Sequence, residues 1–285
     1  MPITFSDVSY VYNPKSPFQY EALKGINLTL LEGKFIALVG RTGSGKSTLV
    51  SHINALLHPS AGKVQVLDFV NSAKKKKRSK DVKGLRKRVG LVFQFPEYQL
   101  FEETVDKDVA FGPKNFGDKN DVALTKAHEA LKKVGLDESF YNRSPFELSG
   151  GEKRKVAIAG ILAVHPEVLI VDEPTAGLDP KASEEMMSLF EEIHQEGTTI
   201  LLVTHDMNLV LKYAQEVVVM ENGEVAKQCP PNALFGEDLS QYSLENPHVY
   251  QFAEALQKRG LSLSLNGVKD VASLAKSIKE SRPHE

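Results

Sequence analysis

Nine consecutive residues, Gly40-Arg41-Thr42-Gly43-Ser44-Gly45-Lys46-Ser47-Thr48, carry the spacing G-x-x-x-x-G-K-S. That spacing suits one job, the holding of a polyphosphate. Glycines at 40, 43 and 45 let the backbone curl with its N–H groups inward and no side chains in the way. A helix starting there adds partial positive charge at its N-terminus. Lys46 would reach the β- and γ-phosphates, and the Ser47 hydroxyl would face Mg²⁺. A second group of chemically active residues lies downstream. Asp172 and Glu173 end an apolar run, Val168-Leu169-Ile170-Val171; the first suits metal coordination and the second the polarising of an attacking water. His205 ends another apolar run and can donate a hydrogen bond to a γ-phosphate. A third group, Leu148-Ser149-Gly150-Gly151-Glu152, opens a helical pattern, which makes a second anion-binding helix start. Two such starts are hard to explain with one nucleotide in one molecule; they make sense if the second serves the nucleotide of a partner.

The surrounding pattern must bring these groups together. Phe35-Ile36-Ala37-Leu38-Val39 reads as a buried strand before the glycine loop, and residues 47–57 as the helix after it. Runs 168–173 and 198–203 are apolar throughout, as in a parallel sheet covered on both faces. Ligands of such sheets bind beyond the carboxyl ends of the strands, so Asp172, Glu173 and His205 are expected beside the glycine loop. Residues 3–11, 23–31, 62–67 and 89–93 read as further strands, and 216–220 with 224–228 as a hairpin around Asn222-Gly223. Helical patterns over 105–111, 122–134 and the stretch to Ala163 form an inserted block; Gly135 caps one of them and Pro180 opens a helix to about 195. Beyond Pro230 the pattern becomes helical, over 246–258 and 268–279. Tyr12, at a strand end, is the candidate for stacking on an adenine ring, the alternative being ordinary packing.

Composition narrows the function class. Lys and Arg total 35 against 37 Asp and Glu, a formal charge of −2, so nothing draws the whole chain to nucleic acid or an anionic membrane. A single cysteine, Cys229, permits no internal disulfide and fits a reducing compartment. The run Lys74-Lys75-Lys76-Lys77-Arg78 has no aromatic residue interleaved; it reads as a solvated loop, with a phosphate or lipid contact as the alternative. The N-terminal residues lack a basic region followed by an apolar stretch, so no signal peptide is expected. No apolar run approaches the roughly 20 residues needed to cross a bilayer; a membrane span, if the protein works at one, would come from another chain.

Together these residues resemble the ATP-binding-cassette (ABC) ATPases over roughly positions 3–230. Residues 40–48 are similar to the Walker A loop, 148–152 to the signature sequence with Glu152 in place of the usual Gln, and 168–173 to Walker B. Gln94 resembles the Q-loop glutamine, Ala176-Gly177-Leu178-Asp179 the D-loop and His205 the switch histidine. Within that family the run Phe93-Gln94-Phe95-Pro96-Glu97-Tyr98-Gln99-Leu100-Phe101, the sequence Glu152-Lys153-Arg154-Lys155 and the helical tail look most like the ATPase subunits of energy-coupling factor (ECF) transporters, of the second (EcfA-prime) type.

The resemblance implies an α/β P-loop NTPase fold. Its parts would be a RecA-like parallel-sheet core, an antiparallel β subdomain, a helical subdomain at about 95–165, and a boundary near 230 before a C-terminal helical extension, 231–285. It implies an ATPase at the cytoplasmic face of the cell membrane that powers vitamin or micronutrient import with a second, paralogous or identical, ATPase, a membrane scaffold (EcfT) and a substrate-binding membrane protein (EcfS). Catalytic roles would fall to Glu173 and His205. ATP would lie on Tyr12, residues 40–48 and Gln94, with Ser149, Gly150 and Gly151 closing over the partner's nucleotide; Ser47, Gln94 and Asp172 would hold Mg²⁺. The aromatic and acidic stretch after Gln94 is expected to line a groove for an arginine-bearing scaffold helix, through Glu97, Glu102 and Glu103. The alternatives are the ATPase of another ABC transporter, such as a metal-ion importer, and a soluble, non-transport cassette ATPase. A GTPase switch is disfavoured by the lack of an Asn-Lys-x-Asp motif.

Overall fold

A computed structural model describes residues 2–73, 82–265 and 267–281. The basic run at 74–78 lies outside the described residues, apart from its flank at Ala73. In chain order the strands are β1 (Ile3–Tyr12), β2 (Tyr20–Leu30), β3 (Phe35–Val39), β4 (Ala61–Val66), β5 (Phe69–Ser72), β6 (Val89–Val92), β7 (Val168–Asp172), β8 (Thr199–Val203), β9 (Glu216–Glu221) and β10 (Glu224–Cys229). The helices are α1 (Lys46–Ile53), α2 (Val82–Arg88), α3 (Val105–Asn115), α4 (Asn120–Lys133), α5 (Gly150–Leu162), α6 (Pro180–Gln195), α7 (Met207–Tyr213), α8 (Pro231–Leu234), α9 (His248–Gln257) and α10 (Val271–Glu280).

Two sheets organise them. One has the order β2-β1-β4-β5 with antiparallel pairs; the other has the order β10-β9-β3-β8-β7-β6, parallel except for the β9–β10 hairpin. β3 and β8 are buried at every residue, so both faces of the parallel sheet are covered, as their unbroken apolar sequences require. On one face Ile36, Leu38, Ile170, Leu201 and Val203 pack with α1 and the antiparallel sheet. On the other, Phe35, Leu169, Val171, Ile200 and Leu202 pack with α3, α4, α5 and α6. α7, α8 and α9 cover Ala37, Val39, Val217 and Val219, and a small satellite core of Ala253, Leu263, Val268 and Leu274 joins α9 to α10. No helix among the described residues is long and apolar enough to cross a membrane.

Several boundaries differ from the sequence reading. α1 stops at Ile53 rather than 57, because Ala55 turns left-handed (φ 52°) and the Leu56 and Leu57 amides return to the Ser51 carbonyl. α10 begins at Val271, where Asp270 and Ser273 form a reciprocal cap. β5, α2 and α7 were not legible. They are short, from four to seven residues, too few to show a period.

Candidate active site

The order of the parallel strands builds the site. β3, β8, β7 and β6 lie side by side and run the same way. Their carboxyl ends therefore deliver the glycine loop, Thr204-His205, Asp172-Glu173 and Gln94 to one edge. A cleft of about 380 Å³ opens there, lined by Thr42, Gly43, Gly45, Lys46, Ser47, Thr48, Gln94, Asp172, Glu173 and His205, with Tyr20 and Ala22 from β2.

The loop needs its glycines for two different reasons. A Cβ on Gly40 would stand 2.2 Å from the Met220 carbonyl oxygen of β9, and one on Gly45 2.7 Å from that of Ala22. Both, with Gly43, hold positive φ (146°, 104° and 82°), where other residues are strained. The β9–β10 turn buttresses the loop: the Gly223 amide donates to the Ser44 carbonyl at 3.1 Å. α1 begins with no side-chain cap, leaving its first amides for an anion. Ser44 Oγ is buried without a hydrogen-bond partner, another group that an anion would satisfy. Lys46 Nζ meanwhile donates to the carbonyls of Gly40 (2.6 Å) and Arg41 (3.1 Å). Burial pushes its pKa down, against the opposing pull of Glu173 and Asp172; a polyphosphate would offer it a closer charge partner. Arg41 is exposed at the rim.

The carboxylates are tensioned. Burial and the neighbouring Glu173 raise the Asp172 pKa, and Lys46 only partly offsets them. Glu173 sits in a left-handed backbone conformation (φ 47°), held by its amide donating to the Val203 carbonyl at 2.9 Å. Its Oε1 lies 2.7 Å from His205 Nδ1 and its Oε2 accepts from Thr204 Oγ1 at 3.5 Å. A strained residue at a ligand cleft, oriented by two neighbours, is a position where water can be aimed. Asp172, Ser47 and Gln94 offer an all-oxygen donor set. Among the described residues no three His, Cys, Asp or Glu side chains converge into a metal cage. That donor set fits Mg²⁺, which binds through one or two carboxylates together with substrate phosphates.

Tyr12 and Tyr20 stand directly opposite each other across β1 and β2. Tyr12 shares a hydrogen bond with Thr48 Oγ1 at 3.2 Å, and Tyr20 donates to the Gly43 carbonyl at 3.3 Å. Tyr20, which sequence reasoning passed over, lines the cleft, whereas Tyr12 packs edge-on to Tyr10 at 4.8 Å.

Ser149, Gly150 and Gly151 do not line this cleft. They begin α5, and the start is closed on itself: the Ser149 side chain accepts from the Glu152 amide at 3.4 Å while Glu152 Oε2 accepts from the Ser149 amide at 2.7 Å. Glu152, where the resemblance led one to expect Gln, thus completes a capping box. Its carboxyl is held below the usual range by the Ser149 side chain and amide.

One expectation needs correction. Glu97 is not a free groove carboxylate; it is largely buried and grips Arg154 of α5 with both oxygens, at 2.9 and 3.1 Å. Burial pushes its pKa up, but the Arg154 hydrogen bonds, a backbone hydrogen bond and the Arg154 charge together outweigh that and hold it below its ordinary value. Glu103 pairs with Lys107 at 2.9 Å. Exposed aromatic rings do surround this stretch: Phe93, Phe95, Tyr98, Phe101 and Phe111.

Comparison with known proteins places this geometry. The model of the ABC transporter family matches residues 23–176. The energy-coupling factor transporter ATP-binding protein EcfA2 of Spiroplasma kunkelii is 49% identical over 281 residues, 98% of this chain and 92% of that protein. That of Lactococcus lactis subsp. cremoris is 54% identical over 260 residues, 90% of each chain. The chain belongs to the ABC ATPases, in their energy-coupling factor branch. Among solved structures, cbiO1 of Clostridium perfringens, described as part of the ABC transporter complex cbiONQ, is 37% identical with a TM-score of 0.73, covering 88% of this chain and 98% of its own. The dimeric ATP-binding cassette MJ0796, in a post-hydrolysis state bound to ADP and Pi, is 30% identical with a TM-score of 0.70 over 80% of this chain and 98% of its own. The activity is ATP hydrolysis coupled to transport.

Proposed function

We propose that this chain is one of two ATP-hydrolysing subunits of an energy-coupling factor importer, peripheral on the cytoplasmic face of the membrane. It would pair with a second cassette, identical or paralogous, on a transmembrane scaffold (EcfT) that carries a substrate-binding membrane protein (EcfS) for a vitamin or related micronutrient. The observation that carries the pairing is the separation of Ser149, Gly150 and Gly151 from the cleft holding Lys46 and Glu173: the second anion-suited helix start takes no part in lining this chain's own cleft. Head-to-tail pairing gives that second helix start a triphosphate to close over.

In this reading residues 40–48 and Gln94 hold the nucleotide, Lys46 neutralises its β- and γ-phosphates, and Tyr12 or its cross-strand neighbour Tyr20 flanks the base. Ser47, Asp172 and Gln94 would hold Mg²⁺, which when bound neutralises charge on the phosphate oxygens. Glu173 takes the proton of the attacking water, and His205, hydrogen-bonded to Glu173, supports the γ-phosphate. Residues 1–230 form the ATPase unit and 231–285 an extension. The exposed rings around Tyr98, with Glu102 and Glu103, suit an apolar scaffold helix bearing basic residues.

Affinity purification of this chain from detergent-solubilised membranes tests the assembly. Mass analysis should return a second cassette and two membrane proteins in a fixed ratio. A chain recovered alone and active as a monomer would reject it.

A further inference from the structure

Arg154 is a basic side chain buried almost completely in the protein interior, 4% exposed, five residues into the numbering from Ser149. Its environment is unusual. Nε and Nη2 grip both oxygens of Glu97, which lies three residues beyond Gln94, at 3.1 and 2.9 Å. Nη1 donates to the Ala176 carbonyl at 2.9 Å and to that of Pro174 at 3.4 Å, the stretch that immediately follows Glu173. The guanidinium also lies over the Phe95 ring, 5.7 Å from its centre, and that ring in turn abuts Gly177, 3.6 Å from where a Cβ would stand. Three segments distant in sequence therefore meet on one rigid, planar fork. They are the turn after Gln94, the helix that begins with Ser149, and the turn after Glu173.

We propose that Arg154 is a positioning residue for hydrolysis, fixing the Ser149 helix start and the Glu173 turn to the segment at Glu97 so that the three move as one body. The physical reason is geometric. Guanidinium donors are fixed relative to one another, so a displacement of Glu97 is passed to the Pro174 and Ala176 carbonyls and along α5. A lysine keeps the charge but, as a point donor on a flexible stem, cannot hold three partners at once. The Phe95 and Tyr98 rings, exposed beside Glu97, make this segment the place where an external push would enter. The inference rests on head-to-tail pairing of cassettes, since α5 acts on the partner's nucleotide.

The test is steady-state ATPase kinetics of the purified membrane complex carrying R154K, E97Q, both together, or S149A. Each of R154K and E97Q should lower kcat on the order of tenfold, as misplacement of reacting groups does. Their KM for ATP should stay within about twofold of the parent, since the Lys46 cradle is untouched. The double variant should be no slower than the slower single within about twofold, because both act through one contact. A kcat near the parent's in either single variant, a loss that falls on KM instead, or losses that multiply in the double would overturn the proposal. Should R154K fail to fold, as judged by its thermal midpoint, E97Q alone decides by the same kcat-against-KM split. S149A separates the two layers: full activity there rejects the pairing, whereas an inactive S149A beside an unaffected E97Q rejects only the role of Arg154.

Discussion

This chain carries two helix starts whose residues suit an anion, and they are built in opposite ways. α1 opens on Gly45 with a left-handed backbone and no side-chain cap, so its amides, the buried Ser44 hydroxyl and Lys46 wait for an anion. α5 opens on Ser149 and is already satisfied by Glu152. The first is a cradle with groups left unsatisfied; the second is already capped within its own chain. That asymmetry suits a site assembled from two molecules. In the proposed pairing one half would hold the nucleotide and the other would engage only when the halves meet.

The sharpest way to break the comparison is Glu173→Gln. Turnover should fall by at least about a hundredfold while ATP binding persists, measured as single-turnover hydrolysis beside equilibrium nucleotide binding; persisting turnover would remove Glu173 as the base. Next comes the cradle. Gly45→Ala forces a Cβ toward the Ala22 carbonyl at a positive φ, so binding should be lost and the fold destabilised by about 1–3 kcal/mol, read by nucleotide titration and denaturant unfolding. The closed start should respond differently. Ser149→Ala removes a cap worth about 1 kcal/mol and should depress turnover while this chain's own ATP affinity stays unchanged.

A pH series addresses the ion pair behind the closed start. The Glu97 carboxyl is held below its ordinary 4.5, so its stabilisation is complete above that value and fades as pH falls through the lower folded value. Glu97→Gln should therefore flatten the fall of the thermal midpoint below about pH 5; an unchanged slope would show that the pair is not coupled to folding. The smallest effect is expected from Glu152→Gln, which keeps an acceptor for the Ser149 amide but removes a negative charge from the place a phosphate must approach. ATP-driven association of cassettes should tighten about twofold to fivefold, within the range of one charge at a helix start.

Much of this was legible because it is local. The glycine loop, the carboxylates at 172 and 173, the helix opened by Pro180 and the Asn222-Gly223 hairpin each depend on residue types at fixed short spacings, and backbone sterics act at that range. So does the alternation or continuity of apolar residues that marks the strands. The sequence by itself determined which residues could hold phosphate, bind a metal or activate water, and that they lie at strand ends.

What required the tertiary structure was every relation across long separations. That β8 neighbours β7, which puts His205 against Glu173; that Tyr20 rather than Tyr12 lines the cleft; and that Glu97 faces Arg154 rather than solvent, are set by packing. No local pattern encodes them. Nothing local in the run Lys153-Arg154-Lys155 sets Arg154 apart from its neighbours, and only the closing of α5 onto the turns after Gln94 and Glu173 shows which of the three the interior takes, because a buried guanidinium persists only where a carboxylate and free carbonyls converge to meet it.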